Sequence, residues 1–273
     1  MLPLENPNAW NKLNCLGKAE ALPKLLLQLK EGEENEVLEE ICWEYIYHQN
    51  TLYQSTVAIF PHLMEIAKYS QNEAFLLDLF LNLGIILAEL DTEGLYLKAI
   101  LQEQNNLDQT TQELLYRAFV SAFEEFAHLG ERLQKHIYAR DEETKRYFFM
   151  AYAVANKFYE LGRVWNTYTE NTEYRSICPG CSAEHYLWNE SDKLVLYIQD
   201  PVTNKAQQTF DLLPLEQQAL ASQAGEKGWL YEHIVKFKIN SLLPLVPSLL
   251  GRAICPGCGK NYDVFASVIN TVV

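Results

Sequence analysis

The sequence predicts a mainly α protein: an array of stacked helices over residues 1–170, followed by a small α+β module over residues 171–273. Three observations carry this reading. Apolar residues recur at helical spacing from about Asn8 to Tyr168. After Thr169 the pattern changes to short alternating runs. In that second part, Cys178-Pro179-Gly180-Cys181 is repeated as Cys255-Pro256-Gly257-Cys258.

Within the first part, Leu38, Ile41, Cys42 and Tyr45 fall at i, i+3, i+4 and i+7. Phe60, Leu63, Met64 and Ala67 repeat that spacing, as do Leu115, Ala118, Phe119 and Ala122, then Phe148, Ala151, Tyr152 and Ala155. Breaks are expected at Gly32, Gly94, Gly130 and Gly162, with Asn72 and Asp141 opening helices as N-caps. The pattern predicts about seven or eight helices. A weak internal repeat runs from Pro23 to Lys30 and again from Pro61 to Lys68, with a proline expected near each helix start. The offset between the copies falls just under the roughly 40–47 residues of HEAT and armadillo units.

Residues 8–68 resemble the opening of a widespread group of bacterial HEAT-repeat-like proteins. The matching residues are Trp10, Gly17, Ala19 and Pro23 with Leu26 and Leu29, then Tyr47-His48-Gln49, Tyr53, Thr56, Pro61 and Leu63. Where that group usually has Gly after His-Gln, this chain has Asn50, which also tolerates positive φ. The resemblance implies a HEAT-like α-solenoid, a stack of helix pairs in which each buries its neighbour's apolar face. It brings no catalytic residue.

In the second part, Glu173 to Ile177 leads into the first cysteine pair, and Ala183 to Trp188 and Lys193 to Ile198 read as strands flanking Asn189-Glu190-Ser191-Asp192. A helical insertion is expected at about 201–250, with Leu230, Ile234 and Phe237 on one face and Pro244 and Pro247 breaking the run that follows. Tyr262 to Val268 reads as a closing strand.

The cysteine pairs carry the chemistry. Two residues between cysteines let a tight turn aim both sulfurs at one point, with proline presetting the turn and glycine letting the backbone curl around sulfur. Cys178, Cys181, Cys255 and Cys258 thus supply four thiolates for one tetrahedral zinc ion. Gly259 suits the left-handed position that closes such a knuckle, and Ser182 occupies the equivalent place. The segment resembles a zinc ribbon interrupted by helices. The intervening residues 182–254 exceed the roughly 15–20 of a compact module. Loop closure costs only about 0.6 kcal/mol per doubling, against about 10–16 kcal/mol from structural zinc. With four sulfurs present the metal is expected to be structural. Iron in the same sulfurs, as in the rubredoxin knuckles that C-P-x-C-G resembles, is the less favoured occupant; a dithiol switch, or His185 in place of one cysteine, is a further alternative.

Other tempting residues have plainer readings. Glu31, Glu33, Glu34, Glu36, Glu39 and Glu40 read as a solvated helix start, and His48 and Gln49 as turn residues. His128 and His136 lack the i, i+4 spacing of a helical zinc pair, and Cys15 and Cys42 read as buried small hydrophobes.

Composition narrows the function classes. At 48% hydrophobic and 12% aromatic residues, the chain is too rich in core formers for disorder. The formal net charge of −14, most of it within residues 1–172, would repel phosphate backbones, so no nucleic-acid binding is expected. The run Phe75 to Leu90 contains Asp78, Asn82 and Glu89 and is shorter than the about 20 apolar residues of a membrane span. The absence of a leader-like segment and the cysteine usage point to the cytoplasm. No nucleotide, hydrolase or zincin motif appears. The expected function is therefore a non-enzymatic protein-binding or scaffold module, with an acidic helical surface for a basic or amphipathic protein partner and a structural zinc site. Alternatives are an immunity-type neutraliser of a basic toxin and a four-cysteine iron redox protein.

Overall fold

Helix caps written in the sequence, Asn72 and Asp141, start two of the helices. The computed structural model describes residues 1–168, 173–204 and 208–272. It begins with α1 (Pro7–Trp10), α2 (Leu22–Gly32) and α3 (Asn35–Glu40). A π-helical turn over Ile41–Ile46 leads into a small hairpin of β1 (Tyr47–His48) and β2 (Thr51–Leu52). Gln49 and Asn50 both take positive φ, 46° and 62°, as a two-residue hairpin turn requires. The Asn50 side chain accepts a hydrogen bond from the Tyr47 hydroxyl at 2.9 Å. Then come α4 (Gln54–Tyr69), α5 (Glu73–Leu87), α6 (Leu95–Gln102), α7 (Gln109–Ile137), α8 (Glu142–Ala155) and α9 (Tyr159–Tyr168). Asn72 caps α5 by accepting from the Phe75 N–H, and Asp141 accepts from the Thr144 N–H at the start of α8.

Two breaks and one proline differ from the sequence expectation. Gly130 and Gly162 lie inside α7 and α9. A Cβ on Gly130 would come within 2.8 Å of the Phe80 ring, and one on Gly162 within 2.4 Å of Val154. Both glycines serve close helix approach rather than termination. Pro61 sits in the interior of α4, whereas Pro23 occupies the first turn of α2.

The chain then forms an antiparallel sheet from β3 (Glu173–Ile177), β4 (Glu184–Glu190), β5 (Lys193–Tyr197) and β6 (Thr209–Asp211), in that order. The β4–β5 turn is tight, with Ser191 and Asp192 at φ 53° and 66°. Helices α10 (Gln217–Ala221), α11 (Gly225–Lys236) and α12 (Val246–Leu249) follow, so the segment 201–250 is helical in part and also supplies a strand. A second hairpin, β7 (Arg252–Ile254) with β8 (Asn261–Asp263), precedes α13 (Val264–Ile269). The closing strand expected over Tyr262 to Val268 is therefore only begun. Asp263 accepts from the Ala266 N–H and turns the chain into a helix.

Internal contacts divide the chain into two units: Met1–Lys135 with Met150–Gly162, and His136–Phe149 with Arg163–Val273. The domain boundary expected at 170/171 falls within residues 169–172, outside the described residues. In the first unit α2 contacts α3 and α4, α3 contacts α5, and α4 contacts α6. Its core centres on Phe60, 4.7 Å from Phe119 and 6.1 Å from Phe126 between ring centroids, with Phe80 4.8 Å from Phe126. In the second unit Phe149 packs between Trp165 and Trp229, at 5.3 and 5.6 Å. The whole is mainly α with small antiparallel sheets. Among the described residues, no helix is long and apolar enough to cross a membrane.

Candidate metal centre

The two C-P-G-C turns sit at equivalent places in two hairpins of the second unit. Cys178 follows β3 directly, and β4 returns from Glu184; Cys255 follows β7, and β8 returns from Asn261. Their backbones close in the same way. The Cys178 N–H donates to the Ala183 carbonyl, and the Ser182 N–H to the Cys178 carbonyl, both at 2.9 Å. In the second turn the Cys255 N–H donates to the Lys260 carbonyl and the Gly259 N–H to the Cys255 carbonyl, again at 2.9 Å. The left-handed residue that permits this closure is Ser182 (φ 59°) in one and Gly259 (φ 73°) in the other.

This doubled turn brings all four sulfurs within 4.8 Å of one another, as the cysteine spacing predicted. Cys178 Sγ lies 3.6 Å from Cys258 Sγ, and Cys181 Sγ 3.7 Å from Cys255 Sγ. Those separations are far beyond the about 2.05 Å of a disulfide, and none of the six cysteines is paired in one. Cys178 and Cys255 are buried, while Cys181 and Cys258 are exposed. The Gly180 N–H points at Cys178 Sγ across 3.4 Å. Burial works against ionising this thiol, yet the N–H groups of Gly180 and Cys181 and the neighbouring sulfurs bring its pKa down to about 7. Cys181 is held up at about 12. The Ala183 N–H favours its thiolate, but the adjoining sulfurs outweigh that, because four unshielded thiolates cannot all ionise so close together. A bound cation removes that obstacle, so the cluster can hold a metal ion.

The structure adds a polar chain behind the sulfurs that the spacing alone does not reveal. His185, on β4 and 1% exposed, places Nε2 3.7 Å from Cys255 Sγ and Nδ1 2.9 Å from the Tyr262 hydroxyl. The Ser176 hydroxyl lies 3.3 Å beyond, on the same tyrosine oxygen. Burial lowers the His185 pKa and raises that of Tyr262 to about 12, so both are neutral at pH 7. A metal-bound thiolate can only accept a hydrogen bond. With a metal bound, Nε2 would carry the imidazole proton, Nδ1 would accept from Tyr262, and Tyr262 would accept from Ser176. His185 stands beside the four sulfurs, with Nε2 within hydrogen-bonding reach of one of them. A trace of this was present in the sequence, since His185 stands four residues after Cys181 and Tyr262 four after Cys258. Cross-strand register completes the match, pairing His185 with Ser176 and Tyr262 with Ala253.

The remaining residues singled out in the sequence do not join the cluster. His48 lies in β1, and His128 is an exposed neighbour of Glu131 at 3.5 Å. Glu31, Glu34, Glu36, Glu39 and Glu40 are exposed. Cys42 is fully buried, which pushes its pKa up to about 12, and burial likewise raises that of Cys15.

Fold and site together define a mainly α protein with a four-cysteine cluster able to hold a metal ion. No family model matches the chain, and comparison with curated proteins and with solved structures finds no match.

Proposed function

We propose that Cys178, Cys181, Cys255 and Cys258 hold one structural zinc ion in a zinc-ribbon-like module, and that the protein is a non-enzymatic binding module for a basic protein partner. The observation that carries the metal reading is the sulfur geometry. Zinc–sulfur bonds of about 2.3 Å put tetrahedrally arranged sulfurs about 3.8 Å apart; two of the edges here are 3.6 and 3.7 Å, and all lie within 4.8 Å. Four protein sulfurs complete a tetrahedron and leave no position for a substrate, so the ion clamps two hairpins far apart in sequence.

The binding reading rests on charge and on the helical part of the chain. The order of contacts, α2 with α4, α3 with α5 and α4 with α6, is that of stacked helix pairs, which supports a HEAT-like solenoid. The net charge of −14 suits a basic partner, and a basic toxin that this protein neutralises is the alternative form of it. The exposure of Cys181 and Cys258 favours one second reading, an iron centre exchanging electrons through those sulfurs.

One preparation tests all of this. Tagged protein captured from its native cells is analysed for metal and for co-purifying chains. The proposal expects about one zinc per chain, a colourless protein and a stoichiometric basic partner. A partner encoded beside it and toxic alone selects the neutraliser form. Red protein containing iron, or the absence of any partner, contradicts the proposal.

A further inference from the structure

The outward face of β3 and β4 forms the floor of a cleft of about 760 Å³, entirely within the second unit. That volume lies in the range of small-molecule sites. On the floor, cross-strand register sets Glu173 against Trp188 and Arg175 against Tyr186. Tyr168 and Asp200 line the walls.

Among the described residues, three carboxylates line this cleft, those of Glu173, Glu184 and Asp200, with Arg175 as the cation beside them. Arg175 is already engaged. Its guanidinium lies 3.4 Å from Glu184 and 5.8 Å from the Tyr186 ring centroid. Among the described residues, no ion pair reaches Glu173 or Asp200. Burial and the nearby Asp200 carboxylate raise the Glu173 pKa, as expected of two like charges close together. Arg175 shows what this wall accommodates: a planar or alkylated cation seated between an aromatic face and a carboxylate. Trp188 and Tyr168 offer further aromatic faces beside the uncompensated pair.

We propose that this cleft binds an organic cation, an ammonium or guanidinium group on a short aliphatic stem, with Glu173 and Asp200 as counter-charges and Trp188 and Tyr168 as aromatic walls. The cation arrives either as a free small molecule or as the Lys or Arg side chain of a polypeptide. This site shares no lining residue with the cysteine cluster.

The test is calorimetric titration of the full chain with tetramethylammonium, butylguanidinium, and N-acetyl-lysine and N-acetyl-arginine methylamides, with acetate as the anion control. Glu173→Gln and Asp200→Asn are each expected to weaken binding about tenfold, and Trp188→Ala to weaken it about fivefold. Trp188→Phe retains most of the affinity. Far-UV CD and metal content report that each variant is folded. Site-dependent binding of the free cations assigns a small-molecule ligand, and site-dependent binding of the capped residues alone assigns a polypeptide side chain. No saturable binding by any probe, or binding that Glu173→Gln and Asp200→Asn leave unchanged, overturns the proposal. So does acetate binding as well as the cations.

Discussion

The two units solve the problem of holding a fold together in different ways. The first relies on a continuous aromatic core, in which Phe60, Phe80 and Phe126 are at most 1% exposed, and on helices brought close by small residues. At Gly84 a Cβ would stand 2.2 Å from that of Ala151, leaving room for no side chain. The second unit has short strands and short helices. Its two C-P-G-C hairpins are separated by residues 182–254, and they meet at the four sulfurs and at the polar chain of Ser176, Tyr262 and His185. Long helices can be held by packing along their length, whereas hairpins as short as β7 and β8 gain from a cross-link, which the four cysteines would supply if they hold a metal.

The strongest challenge to this contrast is Cys255→Ser. It should abolish stoichiometric metal binding and remove the unfolding transition of the second unit while the first keeps its helical CD signal. The loss should exceed about 5 kcal/mol, given the size of structural zinc binding. One unchanged melting curve would erase the distinction between the units. Phe126→Ala is the converse experiment: about 3–5 kcal/mol of destabilisation, with metal content unaffected. Loss of metal in that variant would mean the two kinds of stabilisation are not separable.

Smaller effects sharpen the picture within the metal centre. Tyr262→Phe removes the hydroxyl that orients His185, and chelator competition should show about tenfold weaker metal affinity. Wild-type affinity would reduce the polar chain to simple packing. The two knuckles offer the finest comparison, because the same left-handed position holds Ser182 in one and Gly259 in the other. Gly259→Ala should cost about 1 kcal/mol, and Ser182→Gly should stabilise by a similar or smaller amount. Equal effects of the same sign in chemical denaturation would contradict this backbone account.

Much of this was legible in the sequence where the cause is local. Asn72 and Asp141 are caps because a side-chain oxygen reaches an N–H three residues on. The C-P-G-C turns are local too, and so is the positive φ of Ser182 and Gly259. What escaped depends on distant partners. Gly130 and Gly162 look like helix ends, but each makes room for a side chain from another helix, Phe80 and Val154. Val264, Phe265 and Val268 suit a strand or a helix, and the Asp263 cap decides for the helix. The contact of His185 with Cys255 requires the register of two separate hairpins, which spacing within one hairpin cannot supply.

The most direct test of the central claim is X-ray absorption at the metal edge of the purified full chain, combined with metal stoichiometry. The account predicts one zinc per chain with a first shell of four sulfurs at about 2.3 Å and no nitrogen. A shell of three sulfurs and one nitrogen would put His185 among the ligands in place of a cysteine, and half a metal per chain would place the site between two molecules. Either result would contradict a single four-cysteine clamp within one chain.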